Sequence, residues 1–147
     1  MPMIVLKKAG IVFVSFVVGL MAGVAIATPV IAIMNYHGTD GPFFPPPLVA
    51  LGFLALPVSF LLLPVQIVAV GFELVSKRSI RGAWFLLALA GGAGAGLVWS
   101  FLLNPTPPDL ALPSAMMVFG ILQAVLAFSV HWVGYRLRFA QPPPSGR

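Results

Sequence analysis

Three polar side chains lie deep inside the most hydrophobic parts of this sequence. Ser59 and Gln66 stand seven residues apart in one apolar stretch, and Gln123 lies near the middle of another. Seven residues make nearly two helical turns, so Ser59 and Gln66 fall on one face of a helix. Because an amide in hydrocarbon needs a hydrogen-bond partner, we expect Gln66 and Gln123 to bind each other or the freed main-chain carbonyl of Phe60. The alternative is a polar path along all three residues.

The stretch around these residues also carries two prolines. From Phe53 to Gln66 it reads FLALPVSFLLLPVQ, a seven-residue phrase written twice. Proline has no N–H, and its ring displaces the carbonyl four residues earlier, so Pro57 leaves the carbonyl of Phe53 without its helical partner. Pro64 likewise leaves the carbonyl of Phe60 without its helical partner. Since lipid supplies no donor, the pattern predicts a proline-kinked helix whose freed carbonyls are satisfied by other helices.

The composition places these residues in a membrane. The 147 residues are 60% hydrophobic and 7% charged, with a mean hydropathy of +1.06, whereas an average soluble domain is about 25% charged. A spanning helix needs about 20 apolar residues. The sequence therefore predicts an all-α, polytopic integral membrane protein with one four-helix domain and a disordered tail at 139–147. The four transmembrane helices are placed at about 11–34, 48–74, 82–103 and 115–135.

The basic residues predict how the chain is oriented. All eight Lys and Arg residues fall on one side of the four predicted spans, and the other side has Asp40 and Asp109 but no basic residue. Because cytoplasmic loops carry an excess of Lys and Arg, both termini and the middle loop are predicted to be cytoplasmic, in a bacterial inner (plasma) membrane. The basic residues are Lys7, Lys8, Lys77, Arg78, Arg81, Arg136, Arg138 and Arg147.

Two further observations concern the membrane surface. Aromatic residues concentrate at membrane interfaces, which predicts an outer belt at Tyr36 and Trp99 and an inner belt at Trp84, Trp132 and Tyr135. Basic side chains beside spans attract anionic lipid headgroups, and we expect lipid rather than nucleic acid as their partner. The residues expected to meet these headgroups are Lys77, Arg78, Arg81, Arg136 and Arg138.

Small residues mark the faces where helices are expected to approach closely. Gly19 and Gly23 form a GxxxG pair in the first span, and Gly92 and Gly96 form another in the third. GxxxG pairs let helix backbones meet. We expect the third span to pack against the first, with self-association across a dimer as the second possibility. The simpler alternative is that these glycines only make the helices easier to bend.

The start of the chain leaves one processing question open. Ala25-Ile26-Ala27 follows a basic start and an apolar run, as in a cleavable signal peptide. The apolar character continues past Ala27, which favours a retained span, and cleavage after Ala27 stays the alternative.

Catalytic, cofactor and metal chemistry find little support in the sequence. The chain has no cysteine, which excludes thiol catalysis and thiolate metal sites. His37 and Asp40 are too few for a structural zinc site. His37 and His131 fall on opposite sides of the membrane, so they cannot ligate one haem. We therefore predict a protein that is not an enzyme and has no catalytic, cofactor-binding or metal residues.

Glu73 and His131 lie near the ends of predicted spans, where we expect both side chains at the membrane surface. Glu73 precedes Lys77 by four residues, the favourable order for a surface ion pair on a helix. A proton-coupling carboxylate would lie deeper in the membrane than Glu73 is expected to lie. His131 is expected at the cytoplasmic interface with its ring reaching water.

Few motifs remain on which a function can be based. The leading hypothesis is a small non-enzymatic inner-membrane protein, an accessory, assembly or immunity-type partner that acts through helix–helix contacts. Its partner would be another membrane protein or a second copy of the chain. The alternative is a small oligomeric transporter or channel whose polar path runs along Ser59, Gln66 and Gln123.

Overall fold

The structure is a computed structural model, and it contains no ligand. The predictions that concern His37 and Asp40 lie outside the residues that it describes, as does the side chain of Tyr36. The described residues are 2–36, 45–139, 141–144 and 146.

Four long helices make up the described part of the chain, which contains no strand. Each helix is long and apolar enough to cross a membrane. The predicted fold class, an all-α protein with four membrane spans, is therefore confirmed. The helices are α1 (Pro2–Tyr36), α2 (Pro46–Ser76), α3 (Trp84–Leu103) and α4 (Ala111–Arg136).

Three of the four helices, α1, α2 and α4, begin before the predicted spans. α1 begins at Pro2 rather than at about residue 11, and α4 begins at Ala111 rather than at about residue 115. Hydropathy marks only the part of a helix that lies in hydrocarbon, whereas helical structure continues through flanking polar residues. The consequence for α1 is that Lys7 and Lys8 lie on the helix itself and not in a leading tail.

α2 contains a π-helical segment just before its first internal proline. Ala50–Ala55 is π-helical, and the regular α-helix Leu56–Ser76 follows, with Pro57 in its first turn. The carbonyl of Phe53, which Pro57 cannot serve, accepts a hydrogen bond of 2.6 Å from the indole Nε1 of Trp99 in α3. The donor required by the sequence is thus supplied by a neighbouring helix.

The four helices form a ring in which every pair of neighbours is antiparallel. α1 packs against α2 and α4, and α3 packs against the same two helices. α2 and α4 therefore face each other across the centre of the bundle. Lys8 of α1 contacts Glu73 of α2, while Arg81 before α3 lies beside the α4 residue Trp132. We call the end of the bundle that holds Lys8, Arg81 and Arg136 the basic end.

Glycines allow α3 and α4 to come into backbone contact. A Cβ atom on Gly92 would lie 2.5 Å from the carbonyl oxygen of Gly120, and one on Gly96 would overlap the carbonyl oxygen of Met116. The expectation that the third span packs its GxxxG glycines against the first span is therefore wrong. Their contact is with α4, because α3 and α1 stand diagonally opposite in the ring.

The glycines of α1 face two other helices of the same chain. A Cβ atom on Gly19 would lie 3.1 Å from the Cβ of Ala127 in α4, and one on Gly23 would lie 2.7 Å from the Cβ of Ala55 in α2. The GxxxG pair of the first span is thus used in packing within the chain. α1 also continues without a break through Ala27.

Candidate functional site

A buried ion pair ties three elements together at the basic end. The Lys8 side chain is 2% exposed and that of Glu73 is fully buried, and Lys8 Nζ donates to Glu73 Oε2 over 2.5 Å. Glu73 Oε1 accepts a second hydrogen bond of 3.0 Å from the backbone N–H of Ile80. Both carboxylate oxygens are therefore paired, one with α1 and the other with the turn that leads to α3.

The predicted surface pair between Glu73 and Lys77 is wrong. α2 ends at Ser76, and Lys77 takes a left-handed backbone conformation with φ 53. Because the helix ends before Lys77, its side chain no longer follows the helical i,i+4 spacing on which the prediction depended, and it is exposed. Glu73 points instead into the bundle, where Lys8 supplies its counter-charge.

The aromatic ring of Tyr135 lies beside this ion pair, and Trp84 is bound to Tyr135. Lys8 Nζ lies 5.0 Å from the centre of the Tyr135 ring, and Trp84 Nε1 donates a hydrogen bond of 3.3 Å to the Tyr135 hydroxyl. Trp84 and Tyr135 are both buried. Both side chains therefore pack inside the bundle, at the end of the bundle where the inner belt is predicted. Trp132, predicted for the same belt, is 40% exposed.

His131 continues the polar contacts toward the centre of the bundle. Its Nε2 lies 3.2 Å from Oε1 of Gln66, and its ring stacks on Trp84 with 3.8 Å between ring centres. His131 is 1% exposed, so the expectation that it reaches water is wrong. These residues form what we call the basic-end cluster: Lys8, Glu73, Tyr135, Trp84, His131 and Gln66.

A second polar group, which we call the central cluster, consists of Ser15, Ser59 and Gln123. Gln123 Nε2 donates to Ser59 Oγ over 2.7 Å and to the carbonyl oxygen of Ala55 over 2.9 Å. Ser15 Oγ donates to the carbonyl oxygen of Ala127 over 2.7 Å. Gln123 Oε1 has no hydrogen-bond partner among the described residues and lies against Gly23.

The structure therefore divides the three polar residues singled out in the sequence. Ser59 and Gln123 meet in the central cluster, whereas Gln66 belongs to the basic-end cluster with His131. The expected pairing of Gln66 with Gln123 is wrong, because Gln123 lies at the level of Ser59, which is two turns before Gln66 on α2. The expectation that both amides face protein is confirmed, since both are buried.

Apolar side chains occupy the levels between the two clusters. Leu62 lies between Ser59 and Gln66 along α2, and Phe128 lies between Gln123 and His131 along α4, and all are buried. The polar groups thus form two separate sets of contacts. Their chemistry is that of hydrogen bonding across the bundle, since each set joins α2 to α4, whose direct packing is slight.

The outer surface carries a cleft between α1 and α2. It has a volume of about 630 Å³ and opens on the outer side of the bundle, in the half nearer the basic end. Phe13 and Phe60 project beside it, and Gly71 leaves open space, because nothing lies within 4 Å of a Cβ placed there. The lining residues are Val5, Lys8, Ala9, Val12, Phe13, Phe16, Phe60, Leu63, Ile67, Val70, Gly71 and Leu74.

Neither this cleft nor the burial of Lys8, Glu73 and His131 in one cluster was predicted from the sequence. The cleft depends on the distance between two helices, which leaves no local signal in the sequence. The position of Lys8 does leave a local signal in the sequence. It precedes Ser15 by seven residues and Gly19 by eleven, which places all three on one helical face.

The fold and its polar interior define a small multi-pass helical membrane protein. Comparison of the chain with protein-family models, with curated proteins and with solved structures gives no match.

Proposed function

We propose that this protein is a non-enzymatic accessory protein of a bacterial inner membrane that binds a transmembrane helix of another protein in the cleft between α1 and α2. The observation that carries the proposal is the cleft itself, which has apolar walls and a volume of about 630 Å³ and lies beside a tightly packed interior. The basic end faces the cytoplasm in this proposal, as the excess of Lys and Arg there favours.

The interior of the bundle is already packed and hydrogen-bonded, which supports partner binding at the outer surface. The glycines that bring α1, α3 and α4 together are already used within the chain. The buried polar groups are paired across the bundle, apart from Gln123 Oε1 and Ser100 Oγ among the described residues. An interior of this kind stabilises the fold, and it leaves the lipid-facing surface as the place where a partner binds.

The shape and lining of the cleft favour a helix as its occupant. The α1 side runs from Val5 to Phe16, a rise of roughly 16 Å or three helical turns. Helices associate in lipid through close packing rather than through the hydrophobic effect, so a helix is held best where small residues leave room. Ala9 and Gly71 provide that room, while Phe13 and Phe60 offer ring surfaces at the side.

Filling the cleft should prevent partner binding. Gly71→Leu places a side chain in the cleft, whereas Gly94→Leu places the same side chain on the outer face of α3, and neither Cβ meets an atom within 4 Å. With a photoreactive residue at Ile67 in living cells, we expect one discrete adduct with another polypeptide. The adduct should persist in the Gly94→Leu variant and fall at least tenfold in the Gly71→Leu variant.

Three results of this experiment would contradict the proposal. Adducts with lipid alone would mean that the cleft is an ordinary part of the lipid-facing surface. An adduct between two copies of the chain would replace the accessory role with self-association. Equal loss of the adduct in both glycine variants would show that the added leucine acts through the membrane and not through the cleft.

A small oligomeric transporter is the second candidate. The observation that favours it is the pair of polar bridges across the centre, Ser59 to Gln123 and Gln66 to His131, together with the unpartnered Gln123 Oε1. In such a transporter copies of the chain would meet through their lipid-facing surfaces, because the small-residue face of α1 is occupied by α2 and α4 of the same chain.

A further inference from the structure

A second groove lies between α3 and α4 at the basic end, away from the α1–α2 cleft. Its volume is about 310 Å³, and its walls are largely apolar. Arg81 contributes the one charged side chain of its lining. The full lining consists of Arg81, Gly82, Trp84, Phe85, Ala88, Val125, Phe128, Ser129 and Trp132.

Two guanidinium groups converge on Trp132 in this groove. The Cζ atoms of Arg81 and Arg136 lie 5.5 Å and 4.1 Å from the centre of the Trp132 ring. Both distances are within the range of about 6 Å at which an aromatic face attracts a cation. Trp132 is 40% exposed, so the ring holds the two arginines together at the surface rather than in the interior.

These arginines have no carboxylate partner within the described part of the chain. The ion pair found there joins Lys8 to Glu73, and Asp109 lies at the opposite end of the bundle. An arginine presents five N–H donors in a planar fork that matches a phosphate group. Two guanidinium groups beside an apolar groove can therefore bind a molecule that carries both a phosphate group and a hydrocarbon chain.

We propose that this groove binds one anionic phospholipid of the membrane leaflet at the basic end. The phosphate interacts with Arg81 and Arg136, and an acyl chain lies along Phe85 and Val125. Charge complementarity selects the occupant, because two unpaired cations favour an anionic headgroup over a zwitterionic one. This proposal does not depend on the α1–α2 cleft or on its partner.

The test compares two variants that lose the same charge. Arg81→Gln with Arg136→Gln removes the proposed phosphate ligands, whereas Arg78→Gln with Arg138→Gln removes two exposed cations of the same end that make no contact with Trp132. The purified full chain in mild detergent is titrated with dioleoylphosphatidylglycerol or with dioleoylphosphatidylcholine. Bound lipids are counted by native mass spectrometry, and unfolding temperatures confirm that each variant is folded.

We expect the unmodified chain to bind one phosphatidylglycerol molecule in preference to phosphatidylcholine. The Arg81/Arg136 variant should lose roughly 30-fold in phosphatidylglycerol affinity, since each arginine near a membrane surface contributes about fivefold. The Arg78/Arg138 variant should retain the preference. If the glutamine variant fails to fold, Arg81→Lys with Arg136→Lys keeps both charges and should still weaken binding severalfold, because lysine lacks the planar fork.

Competition with glycerol 3-phosphate distinguishes a lipid site from a simple phosphate site. This headgroup analogue has no acyl chain and should not displace the lipid at equal concentration. Effective competition by the analogue would overturn the proposal, and so would the absence of any headgroup preference in the unmodified chain. An equal loss of affinity in the two charge-matched variants would also overturn it, because binding would then follow net charge alone.

Discussion

Replacing Glu73 with leucine should destabilise the folded protein by about 3–5 kcal/mol, the usual cost of leaving one partner of a buried pair without the other. Lys8 would then hold its charge in a nearly inaccessible position, and the N–H of Ile80 would lose its acceptor. Glu73→Gln should cost less than Glu73→Leu, because the amide oxygen can still accept from Ile80. The measurement is the free energy of unfolding of the purified protein in detergent.

The same chain provides a close control for this prediction. Lys8→Met should be as damaging as the loss of Glu73, whereas Lys7→Met, one residue earlier on the same helix, removes an exposed charge and should change stability by less than about 0.5 kcal/mol. The double variant Lys8→Met with Glu73→Leu should recover much of the loss, because no unpaired charge remains. Equal effects of Lys7→Met and Lys8→Met would refute the buried pair.

The second large effect is expected at the contact between α3 and α4. Gly96→Ala would place a methyl group on the carbonyl oxygen of Met116, so the two backbones must move apart. Overpacking of this kind usually costs about 1–3 kcal/mol, and we expect the upper end because the obstacle is backbone rather than a flexible side chain. The unfolding temperature in detergent should fall accordingly.

The control for this change is two residues away on the same helix. Gly94→Ala introduces the same methyl group into open space. It should leave stability unchanged or raise it by up to about 1 kcal/mol, because alanine favours the helix more than glycine does. If Gly94→Ala and Gly96→Ala lower the unfolding temperature equally, glycine acts through helix flexibility and the backbone contact between α3 and α4 is refuted.

The membrane fold was predictable because its causes are local. Apolar runs of sufficient length must become helices in lipid, since only a helix or a closed barrel satisfies the backbone there. Proline chemistry also predicted that the carbonyl of Phe53 needs an outside donor. The identity of that donor, Trp99, was not predictable, because it depends on how α3 is positioned beside α2.

Faces within a helix were predictable, whereas contacts between helices were not. Seven-residue spacing placed Ser59 and Gln66 on one buried face, and the same spacing continues to Glu73, which is buried as well. The pairing of Gln66 with His131 depends on the axial position of α4 relative to α2. A single sequence does not contain that offset, so the predicted partner was two helical turns away.

The interpretation of charged residues failed where a tertiary contact outweighed a local preference. The favourable i,i+4 spacing of Glu73 and Lys77 contributes only about 0.5 kcal/mol at best on a helix. Ending α2 at Ser76 removes that pair and allows Glu73 to turn inward to Lys8. Lys8 was considered a flanking charge for topology, although its spacing to Ser15 already placed it on the buried face of α1.

The small-residue faces of α1 and α4 meet within one molecule, and a pair of introduced cysteines tests this packing directly. The chain has no cysteine, so Gly19→Cys with Ala127→Cys introduces one unique pair, whose Cβ atoms would lie 3.1 Å apart, close to disulfide range. Mild oxidation in the membrane should give a monomer with an internal disulfide, detected by a reducible shift in electrophoretic mobility. The outward-facing control pair, Met21→Cys with Gly94→Cys, should form no internal disulfide. Disulfide-linked dimers from the Gly19/Ala127 pair, without the shifted monomer, would contradict this packing and show that the two faces meet between molecules.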